Sequence, residues 1–144
     1  MTWDEMNKLL RSELSAVETY KQALGKEQQK LGQEAELQRL NTILTEHQQA
    51  ASQLRTQIQQ LGGTPVQDSG AWGTWSKIVM GAATLLGDKA ALKALKEGEE
   101  SGFKEYQEAL QDPDTPPEVK PVINSLLARQ QAHIRTLDEL MAKL

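Results

Sequence analysis

A repeat with an offset of 86 positions constrains the fold of this chain more than any other feature. The segment Leu9–Leu24 returns in part as Leu95–Leu110, and the same offset relates the two histidines, His47 and His133. The other matching pairs include Glu13 with Glu99, Ser15 with Ser101, Tyr20 with Tyr106, Leu40 with Leu126, and Leu54 with Leu140. An offset of 86 residues is longer than a solenoid unit, so the pattern indicates a duplicated helical hairpin.

Hydropathy and composition both favour helices. In each half, apolar residues recur every three or four positions, as on one face of an amphipathic helix. Leu, Ala, Gln, Glu and Lys abound, whereas the chain has one Phe and two Tyr, a bias that disfavours strands. We predict one domain over residues 1–144, with hairpins at about 2–62 and 88–144 and a crossover at about 63–87. The expected fold is an all-α, up-down-down-up four-helix bundle whose long crossover contains a short helix.

Turn and capping signals set the expected helix boundaries. Gly62 and Gly63 should end the second helix, and Asp88 should be the N-cap of the third. Thr115 is expected to be the N-cap of the fourth helix, in a capping box. Pro121 would then lie just beyond the first turn of that helix, where a proline kinks the backbone.

Both histidines and two glutamates interrupt the apolar faces of the predicted helices. Facing residues of an antiparallel hairpin are equidistant from its turn. The midpoint of Glu13 and His47 is position 30, in the polar stretch 25–33. The midpoint of Glu99 and His133 is position 116, in a proline-containing turn. We therefore expect these four side chains to converge in one layer of the bundle.

Two interpretations of this layer differ in class. In the first, each glutamate pairs with a histidine, and the network fixes the register of a non-catalytic protein without any cofactor. In the second, the layer binds a single Fe or Zn ion, since both metals accept carboxylate and imidazole ligands. The candidate metal ligands are Glu13, His47, Glu99 and His133. The side chains expected to support them by hydrogen bonds are Tyr20, Tyr106 and Gln130.

Tryptophan marks the crossover. Trp72 and Trp75 fall on one apolar face of the short helix expected there, in a chain with few aromatic residues. In one interpretation they cover the open side of the bundle. In the other they form an interaction surface, either for a homodimer or for another protein partner, because exposed tryptophans are enriched at interfaces.

Composition argues against several functional classes. A formal net charge of −4 without a basic patch gives no reason to expect a nucleic-acid partner. Without cysteine the chain forms no disulfide and offers no thiol nucleophile. No apolar run approaches the roughly 18 residues of a membrane span, so no membrane partner is expected. The N-terminal residues lack a signal-peptide pattern, which favours a cytoplasmic location.

Several short motifs follow one another in a fairly specific order. They are Leu61–Pro65, a tryptophan-containing segment, Glu97–Ser101, Tyr106, Ala109-Leu110, Pro116–Val119 and His133. In this order the chain resembles the small bacterial ferritin-like four-helix-bundle proteins classed as a domain of unknown function. The resemblance covers nearly the whole chain and implies a ferritin-like bundle. By analogy with ferritin-like relatives it also suggests a stress-related role.

The resemblance invites a comparison with di-iron sites. Ferritin-like relatives that oxidise or store iron place Glu-x-x-His motifs on two of their helices. The two glutamates and both histidines match that pattern, but the positions three before the histidines are Leu44 and Gln130. Glu46 is next to His47 and should point about 100° away from it, so it cannot replace Leu44. We therefore expect no ferroxidase-type activity.

Overall fold

Four long helices account for most of the chain. The computed structural model describes residues 3–27, 34–68, 75, 77–81 and 87–143. The helices are α1 (Trp3–Glu27), α2 (Glu34–Gln60), α3 (Asp88–Gln111) and α4 (Lys120–Ala142). Within the described ranges no residue is in a strand, which confirms the predicted all-α class. In the crossover, Trp75 and residues 77–81 are helical. None of the described helices is long and apolar enough to cross a bilayer.

Each helix packs against two others. The most extensive interfaces are those within the hairpins, α1 with α2 and α3 with α4, while α1 meets α3 and α2 meets α4 more sparingly. Between α1 and α3, Ser12 hydrogen-bonds Glu105 and Tyr20 hydrogen-bonds Glu99. Residue numbers fall in α3 as they rise in α1, so these helices run antiparallel. The bonds Arg39–Glu139 and Arg129–Gln49 give the same result for α2 and α4.

The apolar core forms two clusters, one on either side of a polar layer. The first cluster contains residues from one end of every helix, such as Met6, Leu54, Tyr106, Ile123 and Leu126. The second contains residues from the other end, such as Tyr20, Ile43, Leu95, Leu137 and the crossover residue Val79. Along each helix, buried polar residues lie between the two clusters, among them Glu13, His47, Glu99 and His133. Burial of the flanking apolar side chains therefore fixes the depth at which these polar groups sit.

The expected helix starts need correction. The N-cap of α3 is Gly87, not Asp88, because the backbone there has a φ of 94° that favours glycine. Thr115 does not cap α4, since its hydroxyl donates to the Ala109 carbonyl at 2.6 Å and so closes the end of α3. The fourth helix begins at Lys120 with Val119 as its N-cap. Pro121 thus lies in the first turn, where its missing N–H breaks no helical bond.

Trp75 packs across α3 at a glycine. Its indole N–H donates to the Ala94 carbonyl at 3.1 Å, and its ring meets Tyr20 edge-on at 6.3 Å. A Cβ at Gly98 would lie 1.9 Å from the indole carbon Cζ2, so only glycine allows this approach. Trp75 is half-buried, and Trp72 lies outside the described residues. A role of either tryptophan in binding a partner stays a prediction.

Replacing Gly98 with alanine should destabilise the fold although alanine is the better helix former. The clash with the Trp75 ring should cost about 1–3 kcal/mol, which exceeds the roughly 1 kcal/mol gained in helix propensity. Urea denaturation gives the free energy of unfolding. Gly81→Ala is the matched control, because nothing lies within 4 Å of a Cβ there.

The effect of Gly98→Ala on the free energy of unfolding should change sign when the Trp75 ring is removed. In a Trp75→Ala background, Gly98→Ala should stabilise the protein by up to about 1 kcal/mol, since only the propensity gain remains. A Gly98→Ala protein as stable as the wild type would contradict the close packing of Trp75 on α3.

Candidate functional site

A buried polar layer contains one side chain from each helix. α1 contributes Glu13, α2 His47, α3 Glu99 and α4 His133, and these residues are 4%, 1%, 0% and 3% exposed. Each occupies a position on its helix where the surrounding periodicity demands an apolar residue. The structure thus brings together the four side chains that the sequence predicted to converge.

His47 bridges the two glutamates. Its Nδ1 lies 2.5 Å from Glu13 Oε2, and its Nε2 lies 2.6 Å from Glu99 Oε1. Because both ring nitrogens face carboxylates, a doubly protonated imidazole donates a hydrogen bond to each. The expected arrangement of two separate Glu–His pairs is therefore only part of the network. One histidine serves the glutamates of both hairpins.

His133 also lies between two carboxylates. Its Nδ1 is 3.4 Å from Glu99 Oε2, a long contact, and its Nε2 is 3.0 Å from Glu46 Oε1. The two imidazole rings are 4.8 Å apart. Sequence reasoning set Glu46 aside because it projects away from His47. That same offset directs its carboxylate from α2 towards α4, in the other hairpin, and the periodicity of α2 alone gives no signal for this contact.

The two tyrosines link the hairpins through the layer. Tyr20 donates its hydroxyl hydrogen bond to Glu99 Oε1 at 2.7 Å, and Tyr106 donates to Glu13 Oε1. Each tyrosine therefore serves the glutamate of the other half of the repeat. Gln130, the third residue expected to support the layer, donates to the Glu99 backbone carbonyl at 3.1 Å.

Burial and neighbouring charges shift the pKa values of the layer. Burial alone would lower the pKa of His47, but attraction to Glu99 and Glu13 outweighs it and raises this pKa well above its usual range. Burial would raise the pKa of Glu99, but His47 and His133 lower it to about 2. Burial, followed by the adjacent carboxylates, raises the pKa values of Tyr20 and Tyr106. At neutral pH the layer thus pairs an imidazolium with an ionised Glu99, and both tyrosines remain hydrogen-bond donors.

Three of these residues form a group able to hold a metal ion. His47, Glu99 and His133 each offer one ligand atom, and the three atoms lie within 4.8 Å of one another. Glu13 is not part of this group, and its carboxylate faces the opposite nitrogen of His47. Leu44 is a buried member of the apolar core. The geometry among the described residues therefore suits one ion of the kind that accepts imidazole and carboxylate ligands.

The stability of the protein should fall as the pH rises above the ordinary histidine value. A group whose pKa is raised in the folded state adds its full contribution to the free energy of unfolding below its unfolded pKa, here 6.5. That contribution is lost as the pH rises towards the pKa of the folded state. For one titrating proton, the free energy of unfolding can fall by at most about 1.4 kcal/mol per pH unit. Urea unfolding from pH 6 to 9 should show this decline in the wild type and not in His47→Gln. Equal slopes in the two proteins would contradict a charged His47.

Comparison with known proteins places the chain in a family. Residues 1–112 match the family described as a domain of unknown function (DUF2383). The matched part contains Glu13, His47 and Glu99, whereas His133 lies beyond it. A search of curated proteins gives no match. The expected membership of a domain of unknown function is confirmed, whereas the ferritin-like character of that family stays a prediction. Because the matched region covers well over half of its length, the chain belongs to the DUF2383 family.

Proposed function

We propose that this protein is a single-domain ferritin-like four-helix bundle whose buried Glu/His layer binds one divalent cation, Zn²⁺ or Fe²⁺. The observation that carries the proposal is the group of three ligand atoms from His47, Glu99 and His133, all within 4.8 Å of one another. Imidazole and carboxylate groups are the usual protein ligands of both metals. A fourth ligand would come from water, as in zinc sites that keep one position open.

The helix arrangement supports the ferritin-like part of this proposal. Helices α1 and α2 run antiparallel, because each apolar cluster combines the start of one with the end of the other. The paired hydrogen bonds described above give the same relation for α1 with α3 and for α2 with α4. This gives directions up, down, down, up, which need a long connection between α2 and α3. The crossover between Leu61 and Gly87 supplies that connection.

The carboxylates around the imidazoles support the metal-binding part. Each ring presents one nitrogen to Glu99 and the other to a different carboxylate, Glu13 for His47 and Glu46 for His133. Metal-binding histidines commonly make such an outer bond, which fixes the orientation of the ring and raises its basicity. Glu13 and Glu46 therefore act as orienting groups, and Glu99 is the carboxylate that reaches both inner nitrogens.

Charge balance favours a single ion. One divalent cation would replace the proton charge on His47 and lie among the carboxylates that now surround the imidazolium. A second ion would need bridging carboxylates at the positions of Leu44 and Gln130. The first is apolar, and the second donates its amide to the Glu99 backbone. We therefore propose a mononuclear, non-ferroxidase site, because uncompensated buried charge is expensive.

A purely structural role of the layer is the second candidate. Among the described residues, every buried side-chain nitrogen and oxygen has a hydrogen-bond partner. Such a satisfied network could fix the register of the helices with no ion at all. The two candidates differ in whether the layer exchanges its proton for a metal.

Metal titration of the chelator-treated full chain distinguishes them. We expect calorimetry with Zn²⁺, and with Fe²⁺ under anaerobic conditions, to give one ion per chain. Because the bound ion displaces an imidazole proton, the heat should depend on the ionisation enthalpy of the buffer. His133→Gln should remove most of the affinity. Glu46→Gln should weaken binding by about 10–100-fold, since it orients a ligand without contacting the ion.

Glu100→Gln is the matched control, because Glu100 is an exposed residue on the same helix as Glu99. Circular dichroism checks that each variant keeps its helices. If the protein bound no metal at micromolar concentrations, or if His133→Gln did not change the affinity, the metal site would be rejected and the structural role would remain. Two ions per chain would contradict the mononuclear site.

A further inference from the structure

A cavity of about 310 Å³ lies between α1 and α3. It exists because this interface is much less extensive than the hairpin interfaces and is built from small side chains. Those lining it are Ser12, Ser15 and Ala16 on α1, with Gly98, Ser101 and Gly102 on α3. Trp75 and Ile78 of the crossover form a further wall. The cavity is thus a gap between the hairpins that the core side chains do not fill.

The inner end of the cavity reaches the polar layer. Glu13, His47 and Tyr106 line it, although each of these side chains is almost fully buried. Glu99 and His133 lie behind them and do not form part of the wall. A solute that crosses the cavity therefore meets the Glu13–His47 contact before it meets the three candidate ligands together.

Glu105 lies at the outer end. It lines both this cavity and an adjoining surface groove of about 220 Å³, where Glu5, Lys8 and Asp112 are neighbours. Its carboxylate accepts the Ser12 hydroxyl hydrogen bond, at 2.9 Å to one oxygen and 3.1 Å to the other. This bond joins α1 to α3 across the gap. A cation that enters the cavity from the groove passes beside this carboxylate.

The charges between the surface groove and the polar layer favour the entry of cations. Glu105 and Glu13 are the carboxylates at the outer and inner ends, and Glu97 adds a third. Among the described residues no lysine or arginine lines the cavity, although Lys8 lines the adjoining groove. Carboxylates of one sign between low-dielectric walls concentrate the field and raise the local concentration of counter-ions. An anion on this path would meet carboxylates before it reached the His47 imidazolium.

We propose that this cavity is the route by which divalent cations reach the buried layer, and that Glu105 is the carboxylate that passes them inward. The proposal rests on the metal-binding function proposed above and adds the path and the residue that controls it. A carboxylate on the entry route lowers the same activation barrier for a cation that binds and for one that dissociates. Its loss should therefore slow association and dissociation together and leave the equilibrium constant unchanged.

Stopped-flow kinetics of Co²⁺ binding to the chelator-treated full chain test this route. The visible absorbance of the bound ion reports association, and competition with excess chelator reports dissociation. Glu105→Gln keeps an oxygen that can accept the Ser12 bond and removes the charge, so both rates should fall roughly tenfold. Ser12→Leu, which narrows the passage by volume, should slow both rates as well.

Glu100→Gln controls for the loss of one negative charge from α3 outside the cavity. Rates in Glu105→Gln that equal those in this control would overturn the route while leaving the buried site intact. A weaker affinity with unchanged association would also overturn it, because Glu105 would then act on the bound state. A wild type that binds no Co²⁺ at all would instead refute the metal-binding function itself.

Discussion

The double contact of His47 with Glu13 and Glu99 is the interaction on which the centre of this molecule depends. Burying two carboxylates without a partner would cost several kcal/mol each. One imidazolium contacts both, and the two tyrosine hydroxyls donate to the same carboxylates. The imidazolium belongs to a helix of the first hairpin and reaches a glutamate of the second. The relative depth of α1, α2 and α3 follows, since sliding any of these three helices by one turn would separate the charges. The apolar clusters on either side then hold that register.

The two halves of the repeat are related but not equivalent. The tyrosine–glutamate bonds obey the repeat, with Tyr20 and Tyr106 each crossing to the opposite glutamate. The histidines do not, because His47 contacts both glutamates, whereas His133 contacts only Glu99 of the pair and turns its other nitrogen to Glu46. This asymmetry places three ligand atoms together on one side of the layer. A perfectly symmetric layer would divide its candidate metal-ligand atoms equally between two sites.

The sequence predicts the layer well because the argument needs only helix periodicity and equal distances from a turn. Glu13 and His47 meet for that reason, and the pairing of Glu99 with His133 follows by the repeat. Contacts between hairpins depend on how the halves rotate about each other, which periodicity within one helix does not encode. Glu46 was missed on that account. Thr115 was misassigned because the same hydroxyl can close a preceding helix or cap the next.

The crossed tyrosine bonds bear on how such a chain could arise. A single hairpin carries a buried glutamate whose hydroxyl donor stands on the other hairpin, so neither unit satisfies its own polar groups in isolation. Two identical hairpins placed side by side would supply both donors at once. A homodimer of one such hairpin would therefore make between its subunits the same crossed bonds that this chain makes internally.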